Sequence, residues 1–309
     1  MSDYKIHSRD IRTLNGVVSA AFRYTALHYR SLLGTLGILA FPLIIIATYA
    51  SIRTTERSAS FNSLFLLRHS LRREEMIFLS FSFIIFYAGV LFHNTLINRH
   101  IIETDKAGGA KLSGTPEVFG HLREDLSAAT VNYIIAGLLF FLIKIGYRFL
   151  TALASAFLLN ETGGQFNFEF SLTSLYVVPV VVIAPLLYYI STAALFVGQK
   201  DKLGLFPSIK KVWRYVSTDL RAFWFASTAF VAGAGLLAKG LDYFLGIVIG
   251  YTNLLHNSSA LSLISWLSYF SAVFTFVVLV VFQVAVILHF SGLEEKTEGT
   301  YLKEKIETT

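Results

Sequence analysis

Residues Val212–Trp224 read VWRYVSTDLRAFW, a short aromatic and basic stretch that runs directly into the apolar segment opening Phe225-Ala-Ser-Thr-Ala-Phe. Val212, Trp213, Val216 and Leu220 recur at helical spacing, with Lys210, Lys211, Arg214 and Arg221 among them. That pattern predicts a helix lying in a membrane interface, with aromatic rings in the headgroup layer and cations toward anionic lipid. Trp224 closes the stretch at the mouth of the apolar run. An echo stands near the N-terminus: Phe22-Arg23-Tyr24 is followed by Arg30 as Trp213-Arg214-Tyr215 is followed by Arg221, with the same eight-residue step from aromatic to second Arg. There Val18, Phe22 and Leu32 are expected to supply the apolar side beside Arg23 and Arg30. A fainter copy, Val118-Phe-Gly-His-Leu-Arg-Glu-Asp-Leu, precedes a third apolar run.

Composition sets the class. The 309-residue chain is 54% hydrophobic and only 15% charged, against about 25% charged in soluble proteins. Apolar runs recur near the roughly 20 residues that cross a bilayer. The expectation is an all-α, polytopic membrane protein; a β-barrel would instead show alternating segments of about ten residues. The absence of cysteine excludes disulfides, thiol catalysis and Cys-ligated metal. The opening MSDYKIHSRDIRTLNG has no short apolar core with a small-residue cleavage site, so it does not read as a cleaved signal peptide. The basic pI of about 9.4 fits cytoplasmic loops facing anionic lipid rather than nucleic acid.

Six spans are predicted: Leu33–Ser51, Met76–His93, Val131–Leu150, Leu175–Val197, Ala222–Leu241 and Leu263–His289. The third continues apolar to Leu159 and the fifth to Ile249. Lys and Arg concentrate in the N-terminal arm, the 94–130 and 199–221 loops and the tail, while the 160–172 and 250–262 loops carry none. The positive-inside rule then puts both termini in the cytoplasm. The first outer loop runs against it, with Arg53, Arg57, Arg68, Arg72 and Arg73 beside Glu56, Glu74 and Glu75. Each odd-numbered span follows one copy of the aromatic–basic segment. The chain is thus expected to be one integral membrane domain, 1–309, made of three interfacial-helix-plus-hairpin repeats at about 11–95, 112–198 and 206–290, with a cytoplasmic tail at 291–309.

Four charges stand inside apolar runs: Lys144 and Arg148 in the third, Lys239 and Asp242 in the fifth. Aligning the second and third copies on Asp125-Leu126 and Asp219-Leu220 places Arg148 on Asp242. Two readings stay open. Asp242 pairs with Arg148 to line a polar cavity, or the cations snorkel to the outer interface. Pro179 and Pro185 would kink the fourth span. Gly246 and Gly250 form a GxxxG suited to close helix packing. His93 and His289, near inner span ends, are expected to pack rather than relay protons.

Catalytic and nucleotide-binding motifs are missing: HExxH, GxxxxGK[ST], a strand-to-helix GxGxxG and GxSxG. The Gly-rich 104–115 stretch lacks phosphate-loop spacing and reads as a flexible loop. Glu74-Glu75 and Glu294-Glu295 are sequence neighbours, which do not face each other on a helix. No enzyme activity and no cofactor are therefore expected. In the tail, Leu293, Leu302 and Ile306 suit an amphipathic docking segment.

The aromatic-Arg segments entering spans, Ser208-Ile-Lys-Lys-Val-Trp-Arg-Tyr after a polar inner loop, and the tail Glu294-Glu-Lys-Thr-Glu-Gly-Thr-Tyr-Leu carry a resemblance. Together they resemble the membrane domain fused to some bacterial glycerophosphodiester phosphodiesterases and its stand-alone multi-span relatives, with a tail similar to those in Bacteroidota. In the fused members a separate soluble barrel performs hydrolysis. The resemblance therefore implies membrane architecture without phosphodiesterase activity, and placement in a bacterial inner membrane. The expected role is a non-enzymatic scaffold or accessory subunit of an inner-membrane complex. It would bind anionic lipid headgroups and other membrane proteins or a second copy of itself. The alternative is a transporter, channel or lipid-moving protein using a cavity around Lys144, Arg148, Lys239 and Asp242.

Overall fold

The computed structural model describes residues 8, 10, 12–59, 73–108, 120, 123–126, 129–136, 186–221, 223–229, 233 and 258–299, and among them all regular structure is helical. The named elements are α1 (Leu14–Leu27), α2 (Tyr29–Ala59), α3 (Arg73–Lys106), α4 (Leu205–Val216) with a 3-10 turn at Ser217–Asp219, and α5 (Ser258–Glu298). Shorter helical stretches lie at 129–136, 186–200 and 223–229.

Among the described residues two stretches are long and apolar enough to cross a membrane: Tyr29–Ala47, with mean hydropathy 1.9, and Phe276–Glu298, with mean hydropathy 2.4. They fall on the first and sixth expected spans. Most of the third and fifth expected spans lies outside the described residues, as do Pro179, Pro185, Gly246 and Gly250.

Two helices continue past the ends of the expected spans. The second span was expected to end at His93, yet α3 runs on to Lys106, so the start of the 94–130 segment is helix rather than loop. Asn98, His100 and Thr104 are buried there. Side-chain hydrogen bonds, described below, remove the cost of enclosing such polar groups. Likewise α5 passes His289 and continues to Glu298. It stops at Gly299, whose φ of +64° is a left-handed conformation that ends helices readily.

The chain divides into two compact units interleaved along the sequence, Met1–His7, Ser19–Arg123 and Gly233–Val284 in one, Ser8–Val18, Glu124–Ala232 and Ala285–Thr309 in the other. In the first unit α2 and α3 form an antiparallel hairpin. The face of α2 turned into the unit repeats at helical spacing: Leu32, Leu36, Ala40, Ile44 and Ala47 are all buried. At Gly89 the two backbones approach so closely that an added Cβ would lie 2.9 Å from Ile44 Cγ1 and 3.3 Å from its amide nitrogen. A glycine at this crossing permits the van der Waals contact that holds apolar helices together. Between α1 and α2 only His28 leaves the helix, and His28 N–H to Tyr24 (2.9 Å) and Leu32 N–H to His28 (2.8 Å) carry the hydrogen-bond ladder through the bend.

In the second unit the core gathers Tyr189, Ala193, Phe196 and Val197 of the 186–200 helix, Leu205, Val212, Tyr215 and Val216 of α4, Phe223, and Ile287 and Phe290 of α5. The 186–200 helix reverses into α4 through residues 201–204, where Lys202 takes a left-handed φ of 54°. The reversal is close-packed: a Cβ on Gly198 would meet Asn132 Nδ2 and Ser208 Oγ at 3.1 Å each.

Candidate functional site

The reversal at 201–204 brings Asp201 beside α4, and the end of α5 arrives on the same side. Lys211 donates to Asp201 Oδ2 at 2.7 Å and to Glu294 Oε1 at 2.7 Å, while Lys200 donates to Glu294 Oε2 at 3.0 Å. Tyr215 donates to Glu298, and its ring meets Phe290 edge-on at 6.0 Å. Burial alone would depress Lys211, but hydrogen bonds and charge from Asp201 and Glu294 outweigh it and hold the ammonium above its ordinary value. The Tyr215 phenol is pushed up to about 12, first by burial and then by the bond and charge of Glu298.

This fastening decides which way α4 faces. Leu205, Ser208, Val212, Tyr215 and Val216 are buried in the unit. The opposite face carries Phe206 (62% exposed), Lys210, Trp213 (51%) and Arg214, and beyond the 3-10 turn Leu220 (54%) and Arg221 are exposed as well. The helix is amphipathic as the sequence suggests, but Val212 and Val216 belong to the protein interior and not to the lipid-facing side expected for them. Lys211, grouped by sequence with the headgroup cations, is instead committed to two carboxylates. Phe206 joins the exposed face and was missed, because it lies before the quoted stretch. Trp224 is half-buried and meets Phe225 at 5.4 Å, with Phe225 itself exposed.

The N-terminal copy repeats the arrangement in the other unit. Phe22 is 55% exposed and Arg23 is exposed, Tyr24 is 1% exposed, and Tyr29 and Arg30 are exposed again. Leu32, expected on the lipid-facing side with Val18 and Phe22, is instead 1% exposed inside the unit. Arg30 donates from Nε to the Tyr29 hydroxyl at 2.8 Å, with its guanidinium 5.6 Å from that ring's centre. The pattern continues into the apolar segments. Leu32, Thr35 and Leu36 are buried after the first copy, Ala129, Asn132 and Tyr133 after the second, and Phe223, Ala226 and Ser227 after the third. Of the second copy itself, Phe119 and His121 lie outside the described residues.

Beneath α1 a polar cluster ties three helices together. The Tyr24 hydroxyl lies 2.8 Å from His100 Nδ1 and donates to Thr104 Oγ1 at 3.0 Å. Ser31 Oγ lies 2.8 Å from His100 Nε2, and the His28 ring stacks edge-on against His100 at 5.1 Å. Burial, helped by His28, lowers His100 to about 3, and burial raises the Tyr24 phenol well above its ordinary value. Farther along α3, Gln283 of α5 donates to Asn98 Oδ1 at 3.0 Å and to the Asn94 carbonyl at 3.3 Å, and His93 Nε2 lies 3.3 Å from the Phe276 carbonyl. In the second unit His289 Nδ1 lies 2.6 Å from the Tyr189 hydroxyl, whose ring packs edge-on against Phe223. These bonds join helices to each other, as hydrogen bonds between membrane helices do.

Lys144, Arg148, Lys239 and Asp242, the charges expected at membrane depth, lie outside the described residues. Among the described residues no group of His, Asp and Glu is arranged to hold a metal ion. No family model, curated protein or solved structure matches the chain.

Proposed function

We propose that the chain is an integral membrane protein of six helical spans with both termini in the cytoplasm. It serves as a non-enzymatic scaffold or accessory subunit of a bacterial inner-membrane complex. The observation that carries this reading is the two-sidedness of α4. One face is fastened into the protein by Lys211, Tyr215 and the end of α5, and the other presents Phe206, Lys210, Trp213, Arg214 and Arg221 outward. Rings and cations on one exposed face, followed by an apolar run, suit the headgroup layer of an anionic leaflet. Such a helix holds the protein at a fixed depth and offers partners a surface there. The resemblance to the membrane domain of glycerophosphodiester phosphodiesterases agrees with this reading.

The absence of native cysteine makes the topology directly testable. With single cysteines introduced at Lys210 and at Asn253, a membrane-impermeant maleimide should label Asn253→Cys in intact cells and Lys210→Cys only after lysis. Labelling of Lys210→Cys in intact cells would overturn the orientation. Isolation from native membranes in mild detergent tests the scaffold role. A partner subunit or second copy retained in fixed ratio supports it. A monodisperse monomer that moves a solute in proteoliposomes removes it in favour of transport.

A further inference from the structure

We infer that segments 22–30 and 213–221 are two equivalent binding elements, each taking the phosphate of an anionic phospholipid headgroup. The inference rests on the interfacial placement proposed above and adds the ligand and the residues that hold it.

Each segment has one buried anchor and three exposed groups in the same order. Tyr24 and Tyr215 are 1% and 2% exposed. Each sends its hydroxyl to the polar end of a long helix, Tyr24 to His100 and Thr104 on α3, Tyr215 to Glu298 on α5. Pinning one residue fixes a helix's rotation, since each step along the chain turns about 100°. The two preceding residues, Phe22-Arg23 and Trp213-Arg214, are thereby held outward. The helix then bends, at His28 in one copy and through the Ser217–Asp219 turn in the other, and the second Arg, Arg30 or Arg221, stands exposed beyond the bend.

The chemistry of the exposed groups selects the ligand. All four cations are arginine, whose planar fork matches phosphate oxygens two at a time, whereas an ammonium acts as a point charge. In the second unit lysines 200 and 211 are engaged by carboxylates, and exposed Lys210 stands just before the segment as an added point charge. No Asp or Glu occurs in the sequence between Arg12 and Arg30, and only Asp219 occurs from Leu205 to Trp224, so both segments are locally basic. The exposed ring beside each first Arg favours a phosphate attached to acyl chains over a free one, since aromatic side chains settle at the headgroup level.

The test uses the purified full-length protein in neutral detergent. It is supplied with phosphatidylglycerol or with phosphatidylcholine of the same acyl chains, and bound lipids are counted by native mass spectrometry. Wild type should retain phosphatidylglycerol over phosphatidylcholine by about tenfold, the scale of charge-assisted hydrogen bonds. Arg23→Gln/Arg30→Gln and Arg214→Gln/Arg221→Gln should each remove part of that preference, and the quadruple variant should bring it to the phosphatidylcholine level. Lys106→Gln/Lys296→Gln, which changes exposed cations outside both segments, should leave it unchanged. Three results overturn the inference: a folded quadruple variant with wild-type retention, an equal loss in the Lys106/Lys296 variant, or displacement of phosphatidylglycerol by the same concentration of inorganic phosphate. Should the quadruple variant fail to fold, the two double variants decide. The maleimide labelling at Lys210 scores the membrane reading separately, so either can fail alone.

Discussion

The Tyr24 phenol oxygen and His100 Nδ1 lie 2.8 Å apart, with both side chains enclosed. Tyr24 donates to Thr104, Thr104 donates to the His100 carbonyl at 2.7 Å, and Ser31 donates to the His28 carbonyl at 3.0 Å. With those protons committed, His100 would have to donate from both ring nitrogens, and a neutral imidazole carries one N–H. Burial nevertheless lowers His100 to about 3 and keeps the ring neutral at ordinary pH. Below the unfolded value of about 6.5 the unfolded chain takes up a proton that the folded chain refuses. Stability therefore falls as pH drops from about 6.5 toward 3, by about 1.4 kcal/mol per unit from this group. Thermal unfolding of wild type and His100→Gln across that range in detergent should give a shallower slope for the variant. Parallel slopes would assign the pH dependence elsewhere.

Tyr24→Phe should cost about 1–3 kcal/mol, because it strips a hydrogen-bond partner from buried groups that then lack water as well. The measurement is the shift in Tm at neutral pH, where His100 is neutral in both proteins. An unchanged Tm would mean that the hydroxyl does not anchor α1.

Gly89→Ala should destabilise by about 1–3 kcal/mol, the usual scale of overpacking. The new methyl would sit 2.9 Å from Ile44 Cγ1, which can move, and 3.3 Å from a backbone nitrogen, which cannot. Ile44→Ala should then cost less Tm in the Gly89→Ala background than in wild type, since the two side chains compete for the same space. Full tolerance of Gly89→Ala would show that α2 and α3 are able to separate there.

Glu294→Gln removes the carboxylate that receives both Lys200 and Lys211. Hydrogen bonds to charged groups contribute about 1.5–3 kcal/mol. The sites are partly exposed, so a loss near 2 kcal/mol is expected, together with faster proteolysis in the 201–216 region. Lys296→Gln, which changes an exposed cation two residues farther along α5, should be milder. Equal effects from the two would reduce the Lys–Glu–Lys arrangement to one surface charge among several.

Val212→Ala and Trp213→Ala separate the two faces of α4. Val212 is fully buried and Trp213 is 51% exposed. Truncating the first should cost about 1.5–3 kcal/mol. Truncating the second should stay within about 0.5 kcal/mol in detergent and act on lipid binding instead. Reversed magnitudes would mean that α4 sits the other way round.

Much of the architecture is legible from residues alone. Apolar length foretells spans at Leu33–Ser51 and Leu263–His289, which overlap the long apolar helix stretches Tyr29–Ala47 and Phe276–Glu298, and the paired Phe22-Arg23-Tyr24 and Trp213-Arg214-Tyr215 triplets foretell a helix ahead of each following apolar run. The continuation of α3 beyond His93 is not legible, because Asn94, Asn98, His100 and Thr104 read as a polar loop until their partners are known. Those partners, Gln283, Tyr24 and Ser31, come from distant parts of the chain.

The stretch Val212–Trp224 shows where the division falls. By itself the sequence determined that this segment is a helix with rings and cations on its surface, since spacing and composition are local properties. It did not determine which side turns inward. Val212 and Val216 are apolar on one side, Trp213 and Leu220 on the other, so local hydrophobicity offers two faces of similar weight. The tertiary structure decided between them, because Lys211 and Tyr215 meet the carboxylates of Glu294 and Glu298, more than eighty residues away in the chain. Once those bonds form, the helix can rotate no further, and Trp213 and Arg214 are left facing out.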